Sequence, residues 1–109
     1  MTTARELLRS LISSAPVVLL TAPGCGACIE ISAWLSENCK SSEWKKIFVP
    51  SLSDTYEEDL VHELVDLLKE TTGARSYPFC FYRGLYLSDA EELKHNVRSH
   101  HMDLKFDEI

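Results

Sequence analysis

Apolar residues recur along this chain with two periods, and the changes of period mark its elements. Leu7, Leu8, Leu11 and Ile12 share one helical face, which predicts a short helix over Ala4–Ser13. Val17 to Leu20 form an unbroken apolar run, so Val17–Thr21 reads as a buried strand that Pro23-Gly24 ends. Ile29, Ile31, Ala33, Trp34 and Leu35 support a helix over Cys28–Asn38. Lys45–Ser51 carries a short strand centred on Ile47-Phe48-Val49. The clearest period belongs to Glu57–Lys69, where Leu60, Val61, Leu64, Val65 and Leu68 fall on one face. Its acids face away, those at the start suit a helix N-terminus, and Gly73 is a stop signal. Phe79–Tyr82 and Leu85–Leu87 flank Arg83-Gly84 as a hairpin. Ser88 or Asp89 then caps a last helix, with Glu91 and Glu92 at capping-box spacing. That helix is expected to be short, and the weak periodicity after Ser99 leaves residues 99–109 as an unassigned tail.

Composition narrows the function classes. The 109 residues are 45% hydrophobic, enough for one domain with a real core over about residues 15–98. Seventeen acids against eleven Lys and Arg leave a net charge of -6, and the basic residues are scattered, which disfavours nucleic acid as a partner. No apolar run approaches bilayer-spanning length, so no membrane role is expected. Arg5, Glu6 and Arg9 interrupt the opening residues, which therefore lack a signal-peptide h-region, and a cytoplasmic location is expected.

The four cysteines are 25, 28, 39 and 80. A secreted disulfide scaffold is disfavoured, and Cys39 and Cys80 are too isolated to complete a zinc site, so no metal ligand set is expected. Cys80 alternates with Phe79 and Phe81 and is expected to face the core, while Cys39 ends a helix and is expected to be exposed and open to oxidative dimerisation. The histidines, at 62, 95, 100 and 101, have no spacing that argues for a site.

Cys25-Gly26-Ala27-Cys28 carries the chemistry. A strand presents the first sulfur, and the following helix points N–H groups and a partial positive charge at it. That field favours the thiolate, which is the nucleophile. Cys28 lies one turn further in and is expected to be the less exposed, resolving thiol. A lone C-x-x-C near a βαβ pattern reads as thioredoxin-like. The element order agrees: a mixed four-stranded sheet flanked by helices, with an extra N-terminal helix. Ala22-Pro23-Gly24-Cys25-Gly26-Ala27-Cys28 is locally similar to the A-P-W-C-G-P-C of thioredoxin, with Gly24 in place of the aromatic, so a thioredoxin-type protein disulfide reductant is one reading.

The second half of the chain adds another. Thr72-Gly73-Ala74-Arg75-Ser76-Tyr77-Pro78 is similar to the T-G-x-x-T-V-P segment of dithiol glutaredoxins, and Phe81, Leu87 and Leu93 follow at the family's spacing. The resemblance spans roughly residues 17–93. It implies a cis Pro78 beside the active disulfide, with Cys25 as nucleophile and Cys28 resolving. Glutathione would be the co-substrate, held by the Tyr77 backbone beside Pro78, by Arg75, and by the N–H groups of Ala90 and Glu91; the Glu91 carboxylate would meet its ammonium. Disulfide-containing or glutathionylated proteins would be the partners of a monomeric enzyme. The departures lie at glutathione-facing positions: Ala22 for a lysine, Ala27 for a tyrosine, Ser76-Tyr77 for Thr-Val, and Ser88-Asp89 for a Gly-Gly pair. Gly26 stands where many members have proline, and similar proline-free members bridge a [2Fe-2S] cluster between two chains, a further alternative.

Overall fold

The computed structural model describes residues 2–107, and the side chains of residues 2–99. The chain runs α1 (Ala4–Ile12), β1 (Val17–Thr21), α2 (Gly26–Asn38), β2 (Trp44–Phe48), a 3-10 turn (Val49–Asp54), α3 (Glu58–Thr72), β3 (Phe79–Tyr82), β4 (Leu85–Leu87) and α4 (Ala90–Asp107). The four strands form one mixed sheet in the order β2-β1-β3-β4. β1 pairs parallel with β2 and antiparallel with β3, which pairs antiparallel with β4.

Strand alternation divides the core between the two faces. Val18, Leu20, Ile47, Phe79 and Phe81 point to one face, where Leu7 and Leu8 of α1 and Val61, Leu64 and Leu68 of α3 cover them. Val17, Leu19, Cys80 and Leu87 point to the other, under Ile31 and Leu35 of α2 and Leu93 and Val97 of α4. β1 is therefore buried along its whole length, which is why its sequence is continuously apolar. This is the thioredoxin-like arrangement, with α1 as the additional N-terminal helix.

Several boundaries move from the sequence reading, each for a local reason. α2 starts at Gly26, because Cys25 itself is the N-cap. β2 stops at Phe48, and Pro50 opens the 3-10 turn; proline has no N–H for a ladder. α3 runs on to Thr72, and Gly73 ends it in the left-handed region at φ 75°, its N–H bonded to the Lys69 carbonyl at 2.9 Å. Asp89, not Ser88, caps α4: its Oδ1 accepts from the Glu91 N–H at 3.0 Å. The Glu91 carboxylate turns instead to Lys94 at 3.5 Å. The largest correction is that α4 is long. It continues to Asp107, because no glycine or proline follows Gly84 to stop it. Hydrophobic periodicity fades where a helix need not pack, but its backbone bonds do not depend on that periodicity.

α4 is tied to α2 by more than apolar contact. Trp34 of α2 carries the Lys94 ammonium 5.7 Å from its ring centroid and the Arg98 guanidinium at 5.5 Å. Among the described residues, no helix is long and apolar enough to cross a membrane.

Candidate active site

The site grows out of the carboxyl end of β1. Thr21 is 1% exposed, and its hydroxyl donates to the Ile47 carbonyl of β2 at 3.4 Å, anchoring the strand end. The chain then turns through Ala22-Pro23-Gly24. Gly24 has φ 70°, a left-handed conformation that a residue with a Cβ adopts only at a cost. The turn delivers Cys25 to the N-cap of α2 with extended backbone.

Cys25 caps that helix with its sulfur: the Cys28 N–H donates to Cys25 Sγ at 3.1 Å. An N-cap side chain normally offers oxygen to this N–H. Here the acceptor is a sulfur, so a negative charge on it gains a backbone donor and the positive end of the helix dipole together. Cys25 and Cys28 are joined as a disulfide across a Cα separation of 5.2 Å. The two sulfurs are not equivalent. Cys25 is half-buried, whereas Cys28 is 3% exposed among the inward residues of α2. An incoming group reaches Cys25 first.

The opposite wall comes from the segment between α3 and β3. Thr72 Oγ1 donates to the Leu68 carbonyl at 2.7 Å and accepts from the Ala74 N–H at 3.2 Å, steering the chain away from α3. The Tyr77–Pro78 peptide is cis, as the sequence resemblance implies. The Tyr77 ring stands edge-on to Phe79 at 5.1 Å, and burial raises its hydroxyl pKa. Ala22 to Ala27 on one side and Arg75, Ser76 and Tyr77 on the other enclose a groove of about 460 Å³, within the range of small-molecule sites. Arg75 is the charged residue of its lining, so the groove favours an anion.

The structure thus brings Cys25, Arg75 and Tyr77 to one groove. Pro78 follows directly, half-buried, while Ala90 and Glu91 stand at the start of α4, outside the lining. Ser76 lines the groove too, at a position the resemblance had turned toward glutathione, whereas Pro23 and Gly24 were read as the end of the strand and not as groove residues. Among the described residues, no three His, Cys, Asp or Glu side chains gather as a metal set. With Cys28 buried, one chain would offer a cluster the Cys25 sulfur alone from this pair.

No family model matches the chain, and no curated protein sequence matches it. Solved structures do. The holo form of a Populus tremula x tremuloides glutaredoxin superposes with a TM-score of 0.68 at 26% identity, over 95% of this chain and 87% of that one. The chain folds as a dithiol glutaredoxin. A dithiolic glutaredoxin of Trypanosoma brucei brucei superposes at 0.65 with 17% identity, over 88% of this chain and 91% of that one. A buckwheat glutaredoxin–glutathione complex superposes at 0.63 with 17% identity, over 89% and 80%. This glutaredoxin fold, with the disulfide at its helix N-terminus, makes the protein a thiol–disulfide oxidoreductase.

The other two cysteines are thiols of a different kind. Cys80 of the core is 4% exposed on β3, and burial pushes its pKa up to about 12. Cys39 caps the end of α2 and is half-buried against the α2–α4 core, not exposed as the sequence reading expected. Its pKa rises to about 11, first through burial and then through the negative charge of Glu43. Both stay protonated at neutral pH, so neither thiol competes with the Cys25–Cys28 pair as a nucleophile.

Cys80 also predicts an alkaline weakness. An unfolded cysteine titrates near 8.5. Above that pH the unfolded chain has lost the proton that the folded chain keeps up to about 12. Unfolding then releases a proton, so stability falls as pH rises through this window, by at most about 1.4 kcal/mol per pH unit. Below the unfolded value Cys80 contributes no slope. Urea midpoints of the protein and of Cys80→Ala, measured from pH 7 to 11, should converge as pH rises; parallel curves would refute the assignment.

Proposed function

We propose that the protein is a glutathione-dependent thiol–disulfide oxidoreductase that reduces protein disulfides and glutathione mixed disulfides. The observation that carries this reading is the Cys25–Cys28 disulfide placed in a groove whose facing wall is Arg75, Ser76 and Tyr77. The buckwheat glutaredoxin–glutathione complex, of the same fold, supports glutathione as the co-substrate. The reading places the protein in a reducing compartment such as the cytoplasm, acting as a monomer.

In the reduced enzyme the Cys25 thiolate attacks the glutathione sulfur of a mixed disulfide. A new Cys25–glutathione disulfide forms, the old disulfide breaks, and the partner sulfur leaves as a thiolate that takes a proton from water. A second glutathione thiolate attacks the glutathione sulfur held on Cys25, giving oxidised glutathione and restoring the Cys25 thiolate. With a protein disulfide, Cys25 forms the mixed disulfide, and Cys28, deprotonated, attacks Cys25 Sγ to release the reduced substrate. Two glutathione molecules then reduce the Cys25–Cys28 disulfide and are oxidised to one disulfide.

The tripeptide lies along the groove with its cysteine beside the Tyr77 backbone and Pro78, and Arg75 takes a carboxylate. Its other end reaches the start of α4, where Ala90 and Glu91 await it. There the Asp89 carboxylate already accepts the Glu91 N–H, so it must move aside for an arriving carboxylate. That competition makes the Arg75 end the stronger half of the grip. Arg75→Gln should raise the KM for a glutathione mixed disulfide roughly tenfold with little change in kcat, as expected for one lost charge-assisted hydrogen bond. The deciding assay is reduction of the glutathione–mercaptoethanol mixed disulfide, coupled to glutathione reductase. Turnover with glutathione supports the reading; turnover only with thioredoxin reductase would replace it by the thioredoxin-type one.

A further inference from the structure

Among the described residues three large apolar side chains are exposed: Ile29 at 69%, Leu85 at 66% and Phe48 at 41%. Single exposed apolar residues are ordinary. Two of these, however, stand at the reactive end of the sheet. Phe48 ends β2 and pairs with Thr21, the last residue of β1 before the Cys25 turn. Ile29 lies four residues after Cys25, one helical turn on and on the same side of α2, its N–H bonded to the Cys25 carbonyl at 3.3 Å. Leu85 is at the far end: it pairs with Tyr82, which pairs with Val17.

Ile29 contributes nothing to the core, which α2 supplies through Cys28, Ile31 and Leu35. It is also absent from the groove wall, as is Phe48. A glutathione running from Arg75 through the groove toward Ala90 and Glu91 takes its contacts from other residues than these two. A disulfide within a protein is not confined to that path. Its flanking residues extend beyond the groove, and on the α2 side the large apolar side chain exposed beside Cys25 is Ile29. Burying an apolar neighbour there removes both side chains from water.

We propose that Ile29, with Phe48 at the adjoining strand end, is a specificity determinant for protein substrates, favouring disulfides with an apolar residue next to the attacked cysteine. This rests on the thiol–disulfide reading above. The occupant is a disulfide-bearing segment of a substrate protein, because Ile29 stands one helical turn from the sulfur that such a segment must reach. The exchange at Cys25 is unchanged; only the docking differs.

The test compares two disulfide-bridged peptides that differ in one residue beside a cysteine, leucine or asparagine, with glutathione and its reductase supplying electrons. The measured quantity is the leucine-to-asparagine ratio of kcat/KM. Ile29→Gln keeps the charge near Cys25 and introduces a good helix former, so the fold is preserved. Leu85→Gln removes a similarly exposed apolar side chain at the other end of the sheet. The expected result is a ratio well above one in the protein, about tenfold lower in Ile29→Gln, and unmoved in Leu85→Gln. A ratio near one in the protein, or one that survives Ile29→Gln, overturns the inference. Turnover of the small glutathione mixed disulfide but of neither peptide overturns the docking surface alone. Failure to reduce any disulfide overturns the underlying reading and the inference with it.

Discussion

A Cys25→Ser variant is expected to lose thiol–disulfide exchange by roughly 10⁴-fold or more, because the group removed is the nucleophile itself. The serine hydroxyl can keep the cap: its oxygen accepts from the Cys28 N–H, as the sulfur does at 3.1 Å. The fold should survive, and the loss should be chemical. Cys28→Ser is expected to behave differently. Its sulfur is buried, so it does not meet the incoming disulfide, but without it no internal disulfide can close. That variant should still turn over a small glutathione mixed disulfide, while its reduction of protein disulfides falls at least about a hundredfold and stalls as a covalent adduct. Mass spectrometry of the stalled mixture should find the substrate attached at Cys25. Activity in Cys25→Ser, or an adduct on Cys28 in the unaltered protein, would invert the two roles.

The placement of the two sulfurs, one at the helix cap and one buried, was legible before any coordinates, and the reason is local. A strand that ends in Cys-x-x-Cys and runs into a helix settles which sulfur caps and which is buried. The hairpin at Arg83-Gly84 and the helix of Leu60 to Leu68 were equally plain, since their periods coincide with their burial. What failed to show was set by long-range contacts or by their absence. β2 ends where its partner β1 ends, which no feature of Ile47-Phe48-Val49 reveals. The far half of α4 has no apolar stripe to mark it, yet nothing interrupts its backbone. Cys39 looked exposed because it ends a helix; it is half-buried because it packs against the core shared by α2 and α4, and only the assembled fold brings those residues together. The groove was half visible. Arg75 and Tyr77 were placed by the resemblance of residues 72–78 to the T-G-x-x-T-V-P segment, whereas Asp89 taking the Glu91 N–H is a side-chain choice that the capping-box spacing of Glu91 and Glu92 obscured.

Phe79→Ala should be among the most damaging single substitutions in the core, and it tests how the fold supports the groove. Phe79 is fully buried, opposite Leu20 in the sheet and within the α1–α3 side of the core. Its ring touches Tyr77 at 5.1 Å and Tyr86 at 6.5 Å. Truncation removes the transfer energy of the ring and leaves a cavity among residues that close in only partly. Losses of about 3–5 kcal/mol are typical of such sites. For a domain whose whole stability is of order 5–15 kcal/mol, that is a large share. The melting temperature should drop by roughly 12–20 °C, with a lower urea midpoint at unchanged slope. Leu85→Ala, at an exposed edge of β4, should move stability by no more than about 0.5 kcal/mol. The functional consequence follows from the same contact. Tyr77 lines the groove on its Arg75 side and takes its ring orientation from Phe79, so the variant should bind a glutathione mixed disulfide more weakly even well below its melting temperature. A raised KM with a near-normal kcat, at a temperature where circular dichroism shows it folded, would tie the core to the groove. A stability loss below about 1 kcal/mol, or an unchanged KM, would show that the Tyr77 wall is held by its backbone alone.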